Sequence, residues 1–362
     1  MASTILLVDD SALMRSVLGD MINRDKRFHV EDKAKDGLEA LELLRTKKYG
    51  AVVLDINMPK MSGMELLKTL RREGIKVRVL VCSTDTPEGS KTAMDALEAG
   101  AIDCVHKPEQ ASKARSDEFV TLFLETLAGV CAVGESGYQA VTASESARDS
   151  AMRAVRQMAE DMGVRKPKVA GRKLVAIASS TGGPKSLQSV IPKLPANLAS
   201  PVVLVQHMPT GFTTSLAERL NAMSRIEVRE GREGEALEAG KVYIAKGGRH
   251  MVILHQGGRH TIHYKDLPPR ENVRPCANYM YESLTDSGFD EVVCVVMTGM
   301  GTDGEEGIKN LKKQKRVYVI SQNADTCIVY GMPRAVEGAG LSDKVLPLGD
   351  IAGEIVESIG TE

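Results

Sequence analysis

Ile5-Leu6-Leu7-Val8-Asp9-Asp10-Ser11 is an apolar run too short for a helix, it ends on two carboxylates, and the residues after it change period. Leu13, Val17 and Met21, with Met14, Leu18 and Ile22, recur every fourth residue, the spacing of an amphipathic helix. The same alternation continues outward from this stretch. Residues 51–54, 77–81 and 103–106 read as strands, and 38–44, 64–70, 92–97 and a segment around Phe119, Leu122, Phe123 and Leu127 as helices. Strands that alternate with helices pair in parallel, because a parallel neighbour is reached only through a crossover. Residues 1–128 are therefore expected to form a doubly wound α/β unit on a five-stranded parallel sheet.

The alternation lapses between Gly129 and Gly171. Gly134, Ser136, Gly137, Ser144, Ser146 and Arg165-Lys166-Pro167-Lys168 read as a linker over 129–171. Within it Met152, Val155, Met158 and Met162 would line one face of a helix, which either packs on a neighbouring domain or docks a partner. From Leu174 the pattern resumes, with strands at 174–178, 202–206, 242–245, 292–298 and 317–320. The runs 251–255 and 259–264 flank Gln256-Gly257-Gly258, the signature of an antiparallel hairpin. Residues 172–362 are expected as a second doubly wound domain, mostly parallel, with an antiparallel hairpin.

The 362 residues suit two domains, and 43% hydrophobic with 26% charged residues is ordinary globular composition. There is no Trp and there are only 5 Phe and 8 Tyr, so the cores must be built from aliphatic residues and 17 Met. Lys and Arg (47) against Asp and Glu (48) leave a net charge of -1, which gives no electrostatic reason to bind nucleic acid or an anionic membrane. No apolar run approaches the ~20 residues of a membrane helix. Asp9 and Asp10 come too soon for a signal-peptide core. The 6 cysteines stand singly, with no Cys-x-x-Cys pair, which points to a reduced, cytoplasmic compartment.

Asp9 and Asp10 follow the first strand and Asp55 ends the third, where ligands collect at the carboxyl edge of an open sheet. Three carboxylates there repel one another unless a hard cation such as Mg²⁺ sits among them. Ser83 and Lys107, at the ends of later strands, add a hydroxyl and an ammonium suited to phosphoryl oxygens, and Asp55 becomes a candidate phosphoacceptor. Taken singly, each aspartate is equally well read as a helix cap. Taken together, Val8-Asp9-Asp10-Ser11, Leu54-Asp55-Ile56-Asn57-Met58-Pro59 and Val105-His106-Lys107-Pro108 resemble the receiver domain of two-component response regulators. The resemblance implies Mg²⁺ held by Asp10, Asp55 and the Asn57 carbonyl, with Asp9 acting largely through water. It also implies phosphorylation of Asp55, contact from Lys107 and a reporting role for Ser83.

Ser180 lies in Ser179-Ser180-Thr181-Gly182-Gly183-Pro184, at a strand–turn–helix junction where backbone N–H groups point outward. A plain anion-binding turn is the simpler reading, although neither GxGxxG nor a Walker lysine is present. His207 and Asp303 each also follow a strand, so Ser, His and Asp can meet on one sheet edge and activate a serine nucleophile. Their chain order excludes a plain α/β-hydrolase.

Ser180-Thr181-Gly182-Gly183, Gln206-His207-Met208-Pro209, Gly247-Gly248-Arg249-His250-Met251, Thr298-Gly299-Met300-Gly301-Thr302-Asp303-Gly304 and Tyr330-Gly331-Met332-Pro333-Arg334-Ala335 resemble the catalytic domain of the chemotaxis protein-glutamate methylesterases, the CheB family. The resemblance implies Ser180 as nucleophile, His207 as general base and acid, and Asp303 as the orienting carboxylate. Thr181 and backbone N–H groups near Met300 and His207 would shape the oxyanion site. The esterase itself needs no cofactor.

Implied partners are a histidine kinase as phosphodonor and the cytoplasmic domains of chemoreceptors as substrate, with neither nucleic acid nor membrane insertion. A non-catalytic regulator and a DNA-binding regulator are the competing functions, opposed by the three triad positions and by the absence of a basic excess. Ser179, Lys246 and Cys276-Ala277-Asn278 depart from the family's usual Ala, Pro and Ser-Val-Asp. His255, His260 and His263 on the hairpin read as solvent-facing rather than as metal ligands. Lys312, Lys313, Lys315 and Arg316 read as a solvated helix end.

Overall fold

The computed structural model describes residues 2–84, 87–108, 114, 116–134 and 171–361, and the chain divides into two compact units. The helix expected around Met152 lies outside the described residues. The first unit runs β1 (Ser3–Val8), α1 (Ala12–Arg24), β2 (Phe28–Ala34), α2 (Gly37–Thr46), β3 (Ala51–Asp55), α3 (Gly63–Glu73), β4 (Val79–Thr84), α4 (Pro87–Ala99), β5 (Asp103–Lys107) and α5 (Asp117–Cys131). Its sheet has the order β2-β1-β3-β4-β5, parallel throughout. The strands form where they do because Ile5 to Val8 and Ala51 to Leu54 bury both faces, which is possible only between two helical layers. Local signals start the helices. Ser11 caps α1, accepting from Met14 N at 3.3 Å, and Ser62 with Glu65 forms a reciprocal capping box on α3.

The second unit runs β6 (Lys173–Ser179), α6 (Gly183–Val190), β7 (Val202–Gln206), α7 (Phe212–Met223), β8 (Glu227–Glu230), β9 (Lys241–Ile244), β10 (His250–Gln256), β11 (Arg259–Lys265), α8 (Ala277–Ser283), β12 (Glu291–Val296), α9 (Glu305–Lys312), β13 (Arg316–Gln322), α10 (Met332–Gly338), β14 (Lys344–Leu346) and α11 (Leu348–Ile359). Seven strands pair in the order β14-β13-β12-β6-β7-β9-β8, every pair parallel. One face of this sheet, including Leu174, Ala176, Ala178, Val203 and Val205, packs on Met280, Tyr281, Ile308 and Leu311. The hairpin β10–β11 forms its own two-stranded sheet. Both residues of its Gly257-Gly258 turn have positive φ, 58° and 76°, the type I′ geometry that glycine accepts without strain.

The doubly wound expectation holds for both units. Three strands were not legible as apolar runs, namely β2, β8 and β14, and all three lie at sheet edges. Phe-His-Val-Glu-Asp-Lys-Ala, Glu-Val-Arg-Glu and Lys-Val-Leu carry the charges that edge strands keep in solvent. The hairpin histidines are half-buried and partnered rather than freely solvated. His255 and His260 stack at 4.6 Å, His260 stacks on Phe289 at 3.9 Å, and His263 bonds Glu233 at 2.6 Å.

In each sheet the strand order reverses beside the first strand of the unit, the point at which open α/β sheets bind ligands across their carboxyl ends. In the first unit this switch point lies between β1 and β3, and in the second between β6 and β12.

Candidate functional site

Asp9 and Asp10 follow β1, and Asp55 ends the adjacent β3, so the first switch point gathers all three. Their carboxylate oxygens lie within 4.8 Å of one another, with Asp9 and Asp55 buried and Asp10 exposed. Lys107, from the end of β5, donates to Asp55 Oδ2 and lies 2.6 Å from Asp9 Oδ2, an ion pair off the hydrogen-bonding direction. Burial raises Asp55 above the usual carboxylate range despite the pull of Lys107. Burial alone would lower Lys107, but the charge and hydrogen bond of Asp55, with the charge of Asp9, carry it above its usual value. Two buried carboxylates and a solvent-facing third, served by one ammonium, fit a hard divalent cation with open water positions.

Asn57 N donates to Asp55 Oδ1 at 3.3 Å. The loop that follows returns so closely that a Cβ on Gly63 would collide with the Asp55 carbonyl, which is why α3 begins on glycine. Ser83 is buried, with its hydroxyl donated to Gly89 O at 2.8 Å at the start of α4. Arg15 Nη1 donates to Asp9 O at 2.6 Å, a contact with no sequence signal, since six residues of turn and helix separate the two.

In the second unit, Ser180 follows β6 and its N–H donates to Thr298 O at 3.0 Å, which ties the serine turn to the loop after β12. That loop approaches because residue 299 is glycine, since a Cβ there would lie 2.7 Å from Ser180 Cβ. His207 follows β7, and its N–H donates to Ser179 O at 3.1 Å. Its ring Nε2 lies 2.8 Å from Asp303 Oδ2, while Nδ1 is buried with no hydrogen-bond partner.

Asp303 is buried at the start of the turn into α9. Oδ2 also accepts from Ala277 N at 2.6 Å, and Oδ1 accepts from Asn278 N at 2.9 Å and from Cys276 Sγ at 3.1 Å. Burial works to raise this carboxyl. The His207 bond and charge, the Ala277 N–H and the Cys276 thiol outweigh it and leave Asp303 below the usual range. Asp303 is therefore an anion at neutral pH. It holds a proton on His207 Nε2 and leaves Nδ1 as the basic nitrogen.

Of the expected oxyanion donors, the His207 N–H is already spent on Ser179 O. Among the described residues the N–H groups of Thr181 and Met300 have no acceptor. Ser179, the second hydroxyl beside Ser180, is fully buried and donates to Gln206 Oε1 at 2.7 Å. Gln206 Nε2 in turn donates to Ser180 O at 2.9 Å and His207 O at 3.2 Å. Gln206 thus ties the backbone of the serine to that of the histidine, a role its place in the motif did not reveal. Asn278, another departure, accepts from Gly304 N at 3.0 Å and Gly307 N at 2.7 Å, locking the loop behind Asp303.

Fold and sites together define a response regulator joined to an α/β enzyme domain. Residues 5–116 match the response regulator receiver domain, and residues 175–355 match the CheB methylesterase family. The chain is 39% identical over 356 residues to the protein-glutamate methylesterase/protein-glutamine glutaminase of Geobacillus kaustophilus, covering 98% of each. It is 38% identical over 361 residues to that of Bacillus subtilis, covering 99% of each. The crystal structure of the Thermotoga maritima CheB methylesterase catalytic domain is 39% identical, with a TM-score of 0.51 over 53% of this chain and 100% of that one. The chain belongs to the CheB methylesterase family, and the resemblance read from its motifs is borne out.

Proposed function

We propose that this protein removes methyl esters from glutamate side chains of chemoreceptors, and deamidates receptor glutamines, under the control of phosphorylation at Asp55. The observation that carries the chemistry is the His207–Asp303 pair at 2.8 Å, with His207 Nδ1 left unpartnered at the sheet edge where Ser180 follows β6. Ser180 Oγ attacks the γ-carbonyl carbon while its proton passes to His207 Nδ1, and Asp303 stabilises the imidazolium through Nε2–H. The tetrahedral oxyanion receives the free N–H groups of Thr181 and Met300. Collapse expels methanol, or ammonia from glutamine, which takes the proton from Nδ1. Water then attacks the acyl-serine and gives its proton to Nδ1, and release of glutamate returns that proton to Ser180.

In the receiver, Asp10, Asp55 and the Asn57 carbonyl would hold Mg²⁺, with Asp9 acting through water. Bound there, the ion neutralises charge on the entering phosphoryl group. Asp55 accepts that group from a histidine kinase in the cytoplasm, and Lys107 pairs with its oxygens. The added charge draws Ser83 and Lys107 toward Asp55 and alters the nearby face of the receiver. Control requires the two receiver states to differ in their contact free energy with the hydrolytic domain. A difference of ~1.4 kcal/mol shifts the restrained-to-active ratio tenfold.

The test is methanol release from methylated receptor membranes. A small phosphodonor with Mg²⁺ should activate the wild type and leave Asp55→Asn at its basal rate. A folded fragment starting near Gly171 should exceed the unphosphorylated full chain. No release under any condition refutes the esterase, and a fragment no faster than the full chain refutes restraint by the receiver.

A further inference from the structure

Cys276 stands at the N-cap of α8 and its side chain caps none of that helix's N–H groups. The thiol is instead fully buried with Sγ 3.1 Å from Asp303 Oδ1. Four donors thus surround this carboxylate. Two are backbone N–H groups, from Ala277 and Asn278, and two are side chains, His207 and Cys276. The backbone of Cys276 is fixed from behind, because its N–H donates at 3.2 Å to Nδ1 of the buried His250. The His250 ring is held edge-on to Tyr279 at 4.7 Å. Burial, then the charge of Asp303, raises the Cys276 thiol far above its ordinary pKa, so the group is S–H, a donor and not a thiolate.

An S–H is a weak donor compared with a hydroxyl. It satisfies the geometry of Oδ1 and takes little of the carboxylate's negative charge. We propose that Cys276 is a positioning residue for the Ser180–His207–Asp303 assembly: its thiol fixes Asp303 through Oδ1 and leaves most of the carboxylate's charge to the His207 imidazolium. This rests on the serine-hydrolase reading of the site. A buried cysteine that merely fills space would be interchangeable with another small side chain, and that is the alternative the test must exclude.

The other titratable groups that act on Asp303 do not compete with the thiol near neutral pH. Burial lowers His250 and raises Tyr281, so both are neutral there. Arg274, beside His250, is engaged by Asp266 at 3.0 Å.

The experiment follows the His207 ring by NMR titration in the full chain, alongside the acid limb of the kcat/KM profile. Cys276→Ser supplies a stronger donor, draws charge from Asp303 and weakens its support of the imidazolium. The titration midpoint and the acid limb should both move to lower pH. Cys276→Ala removes the donor and should move both to higher pH. Each displacement should be roughly half a pH unit, a fraction of the ~1–3 units that a whole neighbouring charge produces.

Opposite displacements in the two variants support the tuning role. No displacement in either, or displacement of both in one direction with equal loss of thermal stability, overturns it and leaves Cys276 a filler. The ring titration does not need the esterase, so an inactive wild type would strike the functional reading while the thiol's role is still decided by the two midpoints.

Discussion

Replacing Asp303 by Asn keeps the shape of the side chain and reverses one of its two hydrogen-bonding ends. In the wild type Oδ2 accepts from His207 Nε2 and Ala277 N, and Oδ1 accepts from Asn278 N and Cys276 Sγ. Whichever way the amide turns, its NH₂ faces at least one backbone N–H that then has no acceptor. That mismatch costs ~1–3 kcal/mol, and a domain of this size loses ~2–4 °C in Tm per kcal/mol. The catalytic cost is larger. The orientation that turns the NH₂ toward His207 gives up the Ala277 contact, donates to Nε2 and drives the ring proton to Nδ1, the nitrogen that must receive the serine proton. The opposite orientation keeps the amide oxygen on Nε2–H but leaves the imidazolium without its stabilising anion. Loss of the orienting carboxylate in this way costs ~10⁴ in kcat, or ~5.5 kcal/mol of transition-state stabilisation. The assay is methanol release at a temperature well below the variant's Tm, with the folded fraction measured by circular dichroism. KM should change little, because Asp303 touches no substrate. A folded Asp303→Asn within tenfold of wild-type kcat would refute the reasoning.

The same carboxylate sets an acid limit to stability. Its folded pKa lies below its unfolded value, so its contribution is complete above the unfolded pKa of ~3.9 and is lost as pH falls through the lower folded value. The Tm gap between wild type and Asp303→Asn should shrink as pH falls below ~4. Activity should fall on acidification, because His207 must be neutral to take the serine proton, and a kcat/KM that rises as pH falls, with chemistry rate-limiting, would contradict that role. Gln206→Leu removes the tie between Ser180 O and His207 O. It should lower kcat by ~10–100-fold with KM nearly unchanged, the cost of a small misplacement of reacting groups. A KM effect alone would show that Gln206 serves binding.

How far the sequence could be read depended on which interactions are local. Central strands such as 174–178 and 202–206 bury both faces and announce themselves as apolar runs. The edge strands β2, β8 and β14 do not, because charge on an exposed edge looks like loop. His207 and Asp303 were legible as strand-end polar residues in motifs, and the structure brings them to 2.8 Å. Which ring nitrogen faces the carboxylate was not legible, since it depends on ring orientation rather than spacing. Ser179 left two adjacent hydroxyls to choose between. The structure separates them, because Ser179 still belongs to β6 and turns into the core toward Gln206, while Ser180 lies beyond the strand. Cys276 and Asn278 looked like departures from a family pattern. Their contacts with Asp303 span 27 and 25 residues, a distance at which no local pattern could reveal them.

The central claim is that Ser180, and not the hydroxyl next to it, is the nucleophile. The most direct measurement compares methanol release from methylated receptor membranes by phosphodonor-treated wild type, Ser180→Ala and Ser179→Ala. Removal of the nucleophile should cost several orders of magnitude and reduce Ser180→Ala to background. Ser179→Ala should keep most of the rate, since it loses only the bond to Gln206 Oε1 while both Gln206 Nε2 bonds remain. Equal losses in the two variants, or a Ser180→Ala protein that still releases methanol at an appreciable fraction of the wild-type rate, would contradict the account.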